Sequence, residues 1–163
     1  MSKKKNQTES DANQAEQEQI NELPYEAVAS SWLAAIIESA EDGIISKNLN
    51  GIIASWNRGA ERIFGYAAEE IIGKPVLTLI PPDIQHEEEI ILGKIRAGER
   101  VEHYETVRVR KDGTLINVSL TVSPIKAPNG KIVGASKIVR DITAQKQSEA
   151  KFKEQTEVVE TIN

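Results

Sequence analysis

The sequence predicts an α+β fold, an antiparallel sheet with short helices gathered on one face. Two observations carry this. Val101–Arg110, Thr114–Lys126 and Lys131–Arg140 are rich in Val, Ile, Leu, Thr and Tyr, and Asp112-Gly113 and Pro128-Asn129-Gly130 separate them. Such turns supply the positive-φ residues that tight hairpins need. Upstream, Asn50-Gly51 divides Gly43–Asn48 from Ile52–Trp56, so a two-stranded hairpin precedes the three-stranded run and a helical middle lies between them.

Each element has its local reason. Residues 1–22 contain only Met1, Ala12, Ala15 and Ile20 as apolar residues, too little apolar surface to offset the entropy of ordering, and are expected to form a disordered leader. From Pro24 a helix is expected over residues 23–41. Proline suits a first helical turn, and Trp32, Leu33, Ile36, Ile37 and Ala40 recur at helical spacing. Asp42-Gly43 ends it. After the hairpin, Asn57 is a good N-cap for a helix of two turns at most that stops at Gly65, and a second short helix, Ala67–Ile72, ends at Gly73. Pro75, Pro81 and Pro82 confine any helix between them to about one turn. Asp83 is expected to cap the next helix, Ile84–Ala97, with Ile84, Ile91, Leu92 and Ile95 on one side. Glu87-Glu88-Glu89 at its start favours the positive end of the helix dipole and reads as a solvated face.

Composition narrows the function. At 163 residues, 39% hydrophobic and a net charge of −5, the chain has room for one domain with one core. No apolar run approaches the roughly 20 residues of a bilayer span, and no apolar stretch follows the basic amino terminus to make a secretory signal. A cytoplasmic protein is expected, without a membrane partner. The acidic balance, lacking a basic stripe, argues against nucleic acid. There is no cysteine, so disulfides, thiolate metal sites and cysteine nucleophiles are excluded together, leaving His86 and His103 as good nitrogen ligands. No nucleophile elbow, Walker loop or zinc-protease motif is present, so no catalytic residue is assigned.

The stretches AEDGIISKNLNGIIASWNRGAERIFGYAAEEIIGKP, Lys111-Asp112-Gly113, VSPI at Val122–Ile125, NGKIVG at Asn129–Gly134 and Asp141-Ile142-Thr143 resemble the PAS sensory family in order and spacing. The resemblance runs from about Leu33 to Thr143 and sets the domain at 42–143. It implies a five-stranded antiparallel sheet of order 2-1-5-4-3, with the short helices enclosing a cavity for a small ligand or cofactor.

The third strand presents a conflict of phase. Apolar-in logic turns Val101, Val107 and Val109 toward the cavity, whereas counting back from the Lys111–Gly113 turn, as in PAS domains that hold flavin or haem, selects Tyr104, Thr106 and Arg108. The second register is preferred, because a sheet covered on both sides has no polar face to set the phase. The same count selects Ile116, Val118, Leu120 and Val122 in the fourth strand and Val133, Ala135 and Val139 in the fifth. With the helices, it gives an expected cavity of Asn57, Phe64, Ile72, Leu92, Tyr104, Thr106, Arg108, Val118, Leu120 and Val139. Asp141, Ile142 and Thr143 resemble the family's coupling point between cavity and output, and one of them also caps the following helix.

No cofactor is expected, and the two that the family suggests fit poorly. The flavin photoreceptors of the family need a cysteine near Gly73, where this chain has Gly73-Lys74-Pro75-Val76, and Arg108 and Val118 stand where those proteins use amides. Haem sensors of the family ligate iron through a histidine on the long helix. His86 falls about one residue, a rotation of about 100°, out of that register, and is expected to face solvent.

From about Ala144 the chain is rich in Gln, Lys and Glu, with Phe152, Val158, Val159 and Ile162 as a sparse apolar side and no terminator. Residues 144–163 resemble the exit linkers that join PAS domains to a GAF module, a histidine kinase or a cyclic-di-GMP enzyme, so the chain is expected to be a sensory fragment, a free-standing PAS protein being the alternative. The expected function is a sensory and dimerisation module without catalysis of its own, pairing through Trp32, Leu33, Ile36, Ile37, Phe152 and Val158. A ligand-free structural dimerisation module is the rival reading.

Overall fold

The computed structural model describes residues 7–15 and 25–162. They fall into two compact units, Met1–Ile37 and Glu38–Asn163, each described by itself. In the first, residues 7–15 form an exposed helix, α1, where composition predicts a disordered leader. Ala12, Gln14 and Ala15 are strong helix formers, and local propensity of this kind needs no core. The rest of that leader lies outside the described residues, as does Pro24. Helix α2, Tyr25–Ser39, leaves the unit with Trp32, Leu33, Ile36 and Ile37 exposed.

The second unit is built on the sheet. Strands β1 (Gly43–Asn48), β2 (Ile53–Trp56), β3 (Val101–Val109), β4 (Leu115–Lys126) and β5 (Ile132–Asp141) lie in the order β2-β1-β5-β4-β3, and every pair is antiparallel. The turns are those the sequence marks, with Gly51, Gly113 and Gly130 at positive φ. Between β2 and β3 come helices α3 (Arg58–Phe64) and α4 (Ala68–Ile71), two 3₁₀ turns at Val76–Leu79 and Pro82–Ile84, and helix α5 (His86–Arg96). Helix α6, Thr143–Ile162, follows β5.

Two boundaries differ from expectation. The helix anticipated from Ile84 with an Asp83 cap begins at His86, because Pro82 instead starts a 3₁₀ turn that Ile84 N–H closes onto the Pro81 carbonyl at 3.1 Å. Val133, expected to face inward, is 47% exposed. It lies beyond Gly134, the last β5 residue that β1 pairs, and a register slip at Ile125/Lys126 brings Ile132 to the core in its place.

The core lies between the sheet and the short helices. Ile45, Ile53, Ile116, Val118, Leu120, Val122, Ala135 and Val139 meet Ala60, Phe64, Ile71, Val76, Leu79, Ile91 and Ile95. Trp56 and Phe64 pack with centroids 5.4 Å apart and planes tilted by 42°, an arrangement aromatic pairs favour. Trp56 also donates its indole N–H to the Tyr66 carbonyl at 3.0 Å.

Helix α3 approaches the entry to β1 so closely that a Cβ on Gly59 would lie 2.1 Å from the Asp42 carbonyl oxygen. Backbone would have to move to admit it. Gly59→Ala is therefore expected to lower unfolding stability by about 1–3 kcal/mol, read from urea denaturation, and an unchanged midpoint would refute this packing.

Candidate functional site

The interior between the sheet and α5 is charged. Arg108 and Lys47 head the largest fully buried side chains, each 2% exposed, and Lys137 is 3% exposed. Alternation puts them there: Arg108 pairs Ile116 across β3 and β4, Lys47 is two residues from buried Ile45, and Lys137 lies between buried Ala135 and Val139 on one face of β5. The counter-charges come from the first turn of α5. Glu87 Oε2 accepts from Arg108 Nη1 at 3.0 Å, and both Glu87 oxygens accept from the Thr106 hydroxyl, at 2.7 and 2.9 Å. Glu88 Oε1 accepts from Lys47 Nζ. Glu87 and Glu88 are thus buried ion-pair partners, not the solvated face that their place at a helix start suggests, because cations from the sheet meet them.

Lys137 differs from the other two cations. Among the described residues no carboxylate pairs with it. Burial drives its amine well below the ordinary lysine value, and the nearby positive charge of Lys47 pushes the same way. Burial also lowers the Lys47 amine, against the pull of Glu88. Among the described residues two buried side-chain atoms lack a hydrogen-bond partner, Glu88 Oε2 and Arg108 Nη2.

The expected cavity residues separate into groups. Thr106 and Arg108 face α5, in the preferred register, and are engaged with Glu87. Phe64, Leu92, Val118, Leu120 and Val139 are buried. Tyr104 stands at the rim, 39% exposed, where a register shift between Val101 and Tyr104 and the positive φ of His103 bend the edge strand. Desolvation and the neighbouring Glu87 raise the phenol above its ordinary value. Two residues do not belong. Ile72 is 44% exposed, since α4 ends at Ile71 and Ile72 turns to extended backbone. Asn57 is buried but spent on backbone. Its Oδ1 accepts from Ile44 N–H at 2.8 Å and Ala60 N–H at 2.9 Å, and its Nδ2 donates to the Asp42 carbonyl at 3.1 Å. Lys47, Glu87, Glu88 and Lys137 escaped the sequence reading, although alternation through Ala135 and Val139 already places Lys137 on the inner face.

A groove of about 450 Å³ runs along this interior, between the β1–β2 turn and α5, lined by Gly51, Val76, Leu77, His86, Glu88 and Leu92 among others. A Cβ on Gly51 would lie 3.7 Å from Glu88 Oε1 and 3.9 Å from both Leu92 and Val76, so these side chains converge. His86 is exposed in the groove, while its neighbours Glu87 and Glu88 turn inward. The inner face that a haem or flavin would need carries Arg108–Glu87 and Lys47–Glu88, and these residues do not fit either group. His103 lines a second groove of about 300 Å³ on the outer sheet face, with Ser119, Thr121 and Ile138. Among the described residues no cluster of three metal-ligating side chains occurs.

At the far end of the sheet Asp141 is a joint. Its Oδ1 accepts from Thr143 N–H at 2.9 Å and from the Thr143 hydroxyl at 2.6 Å, while Oδ2 pairs with Arg110 Nη2 at 3.2 Å. Asn117 of β4 donates its N–H to Thr143 Oγ1 at 3.1 Å and accepts from Ile142 N–H at 2.9 Å. Ile142 is buried, and Lys146 of α6 reaches Glu105 of β3 at 2.6 Å. The start of α6 is thus fastened to Asn117 on β4, to Glu105 on β3 and, through Asp141, to Arg110 just after β3.

The strand order, the helical middle and this exit joint define a sensory fold, and known proteins agree. A family model described as the PAS fold matches residues 33–142; the chain belongs to the PAS family. It is 32% identical over 117 residues to the signal transduction histidine-protein kinase AtoS of Escherichia coli, 72% of this chain and 19% of that protein. It is 35% identical over 119 residues to two-component system protein A of Emericella nidulans, 71% of this chain and 17% of that protein. The chain thus spans about a fifth of the length of these curated relatives. A crystal structure of a PAS domain from Colwellia psychrerythraea matches with TM-score 0.66 and 31% identity, covering 71% of this chain and 98% of that one. One of these relatives is named a signal transduction histidine-protein kinase and the other a two-component system protein; this chain is a PAS sensory module of signal transduction in general. Among the described residues no helix is long and apolar enough to cross a membrane.

Two measurements test the buried charges. Lys47→Met alone strands Glu88 and is expected to cost about 3–5 kcal/mol in urea unfolding, while Lys47→Met with Glu88→Leu recovers most of that; equal losses in the single and double variants would contradict the pairing. For Lys137 the sign follows from linkage. Its folded value lies below the ordinary 10.5, so between the two the unfolded chain binds more protons and stability rises with pH. Lys137→Met should flatten that rise on the acid side of the ordinary lysine value, and a slope equal to the parent's would count against a depressed amine.

Proposed function

We propose that the chain is the cytoplasmic sensory and dimerisation module of a larger signalling protein, passing a ligand- or partner-dependent change to an output domain of the histidine-kinase or cyclic-di-GMP class, without catalysis of its own. The observation that carries this is the Asp141–Thr143 joint, which ties the start of α6 to β4 and to Arg110, the residue after β3. A change in how the helices sit on the sheet then shifts the direction of α6, and a two-state shift of that kind is what a downstream domain reads. Self-association has its own support. Trp32, Leu33 and Ile36 on α2, and Phe152, Val158, Val159 and Ile162 on α6, are exposed, and large apolar side chains in such stripes favour burial against a partner. A second copy of the chain is the partner we infer.

A purely structural dimerisation module is the second reading, favoured by an inner face filled with the Arg108 and Lys47 side chains. The Asp141 joint separates the two. In the full-length protein Asp141→Ala is expected to uncouple output activity from its stimulus while leaving the dimer intact, whereas a structural module would show no stimulus to uncouple. Phosphotransfer or nucleotide cyclisation by the chain alone would refute the absence of catalysis. Deleting residues 1–40 is expected to convert the dimer to monomer in sedimentation equilibrium, and an unchanged dimer would place the interface elsewhere.

A further inference from the structure

Lys137 is the one buried cation of the interior that the ion pairs leave without a task. It stands on the inner face of β5, between Ile45 of β1 and Val122 of β4 across the sheet and between Ala135 and Val139 along the strand, all four of them buried apolar residues. Its amine makes no ion pair among the described residues. An ammonium in such surroundings sheds its proton, because burial penalises the charged form, so the group held there is a free amine, whose lone pair is a nucleophile. The charges around it have a definite sign. On the Lys137 amine Lys47 of β1 acts more strongly than its partner Glu88, and Arg108 of β3 more strongly than its partner Glu87. The field at this nitrogen is therefore positive and favours a group that becomes an anion.

We propose that Lys137 is a carbon dioxide site, its amine adding carbon dioxide to form a carbamate that Lys47 and Arg108 stabilise. The nitrogen lone pair forms the N–C bond, one C=O π pair moves onto oxygen, and the nitrogen releases one proton to solvent. Nothing is oxidised or reduced, and the products are the N-carboxylate and the proton. The reactant suits the place: carbon dioxide is small and uncharged, so it enters a packed interior without the desolvation cost of an ion. An aldehyde would also condense with a free amine, but it must expel water and leaves an imine without negative charge. The carbamate brings two acceptor oxygens and one N–H donor to an interior in which Arg108 Nη2 and Glu88 Oε2 lack hydrogen-bond partners among the described residues. It also adds a negative charge beside Glu87 and Glu88, the two carboxylates that bind α5 to the sheet, and so has a route to that helix. As a sensed signal the carbamate rests on the sensory reading above; as a modification it does not.

The test uses the purified chain with carbon-13 carbon dioxide and bicarbonate at fixed pH, against sodium chloride at equal ionic strength, observed by carbon NMR. A saturable carbamate signal is expected on the acid side of the ordinary lysine value, correlated with the side-chain carbons of Lys137 in lysine-labelled protein. The melting temperature should rise, as with any ligand confined to the native state. The α-amino group also titrates low and is the internal control, its carbamate surviving substitution of Lys137. Lys137→Met should abolish the Lys137 signal, with Lys137→Gln in reserve, and the correlation in the parent decides if neither variant folds. Lys47→Met with Glu88→Leu keeps the amine but removes the stronger cation, and should lower occupancy at a given carbon dioxide pressure about tenfold. The proposal falls if the only carbamate is that of the amino terminus, if a folded Lys137 variant keeps the signal, if Lys137 reacts only above the ordinary lysine value, or if the double variant is occupied as fully as the parent. Carbamate formation that leaves the output of the full-length protein unchanged would fault its place as a signal and leave the site standing. An output that answers another stimulus while Lys137 stays unmodified would sink the site and leave the sensory reading standing.

Discussion

Two adjacent carboxylates hold the helical layer to the sheet. Residues one apart on a helix point about 100° apart, yet Glu87 and Glu88 are both buried, so they diverge: Glu87 reaches Arg108 and Thr106 on β3, and Glu88 reaches Lys47 on β1. β1 and β3 are separated by β5 and β4 in the sheet. The first turn of α5 therefore spans most of the sheet's width, and its rotation about its own axis is fixed from both sides. Apolar contacts alone would fix it less sharply, since Ile91, Leu92 and Ile95 tolerate small rotations at little cost. Buried ion pairs seldom add net stability, because desolvation offsets the attraction, so their contribution here is to the position of α5.

The elements of this fold were legible because they are written locally. Asn50-Gly51, Asp112-Gly113 and Asn129-Gly130 mark turns whose glycines take positive φ, and such a signal needs no knowledge of the rest of the chain. The sheet order came only with the family resemblance, since nothing local says that β5 enters between β1 and β4. The charged interior was misread for the same reason. Glu88 meets a lysine 41 residues away and Glu87 an arginine 21 residues away, so a dipole argument confined to the helix sees two carboxylates and no cations. Ile72 was misplaced by a single residue: Ile71 is fully buried, and a four-residue helix leaves its phase undetermined. Asn57 was correctly read as a cap, and it is the cap that consumes its polar atoms.

Beside its apolar core, the distribution of polarity departs from that of an ordinary small domain in two places. Its largest buried side chains are an arginine and a lysine, while Trp32, Ile36, Phe152 and Ile162 are exposed. Charged groups in the interior fix the position of α5, and in the proposed dimer the apolar groups on the terminal helices are the surface that would meet the partner. On that proposal, folding of the module and its assembly rest on different residues. The thin apolar side of α6 fits this division: its four large apolar residues fall short of the three or four heptads that pair helices securely, so its pairing depends on what else is joined.

The two ends of the module are linked by a short run of contacts. Glu87 bonds Thr106, Thr106 pairs Val118 across β3 and β4, and the residue before Val118, Asn117, holds both Ile142 N–H and Thr143 Oγ1 at the start of α6. A second connection runs from Arg108 on β3 to Arg110 just past its end, the first bound to Glu87 and the second to Asp141. Contiguity of this kind does not by itself establish coupling. It does set what coupling would require: any displacement of the first turn of α5 that keeps the Glu87 bonds must move β3, which carries Glu105 against Lys146 and leads directly into Arg110 against Asp141. A displacement that breaks those bonds strands Arg108 in the core, at the cost of an uncompensated buried charge. Of these two options only the first keeps Arg108 paired with Glu87, so the buried pair is the contact on which any coupling of α5 to α6 would turn.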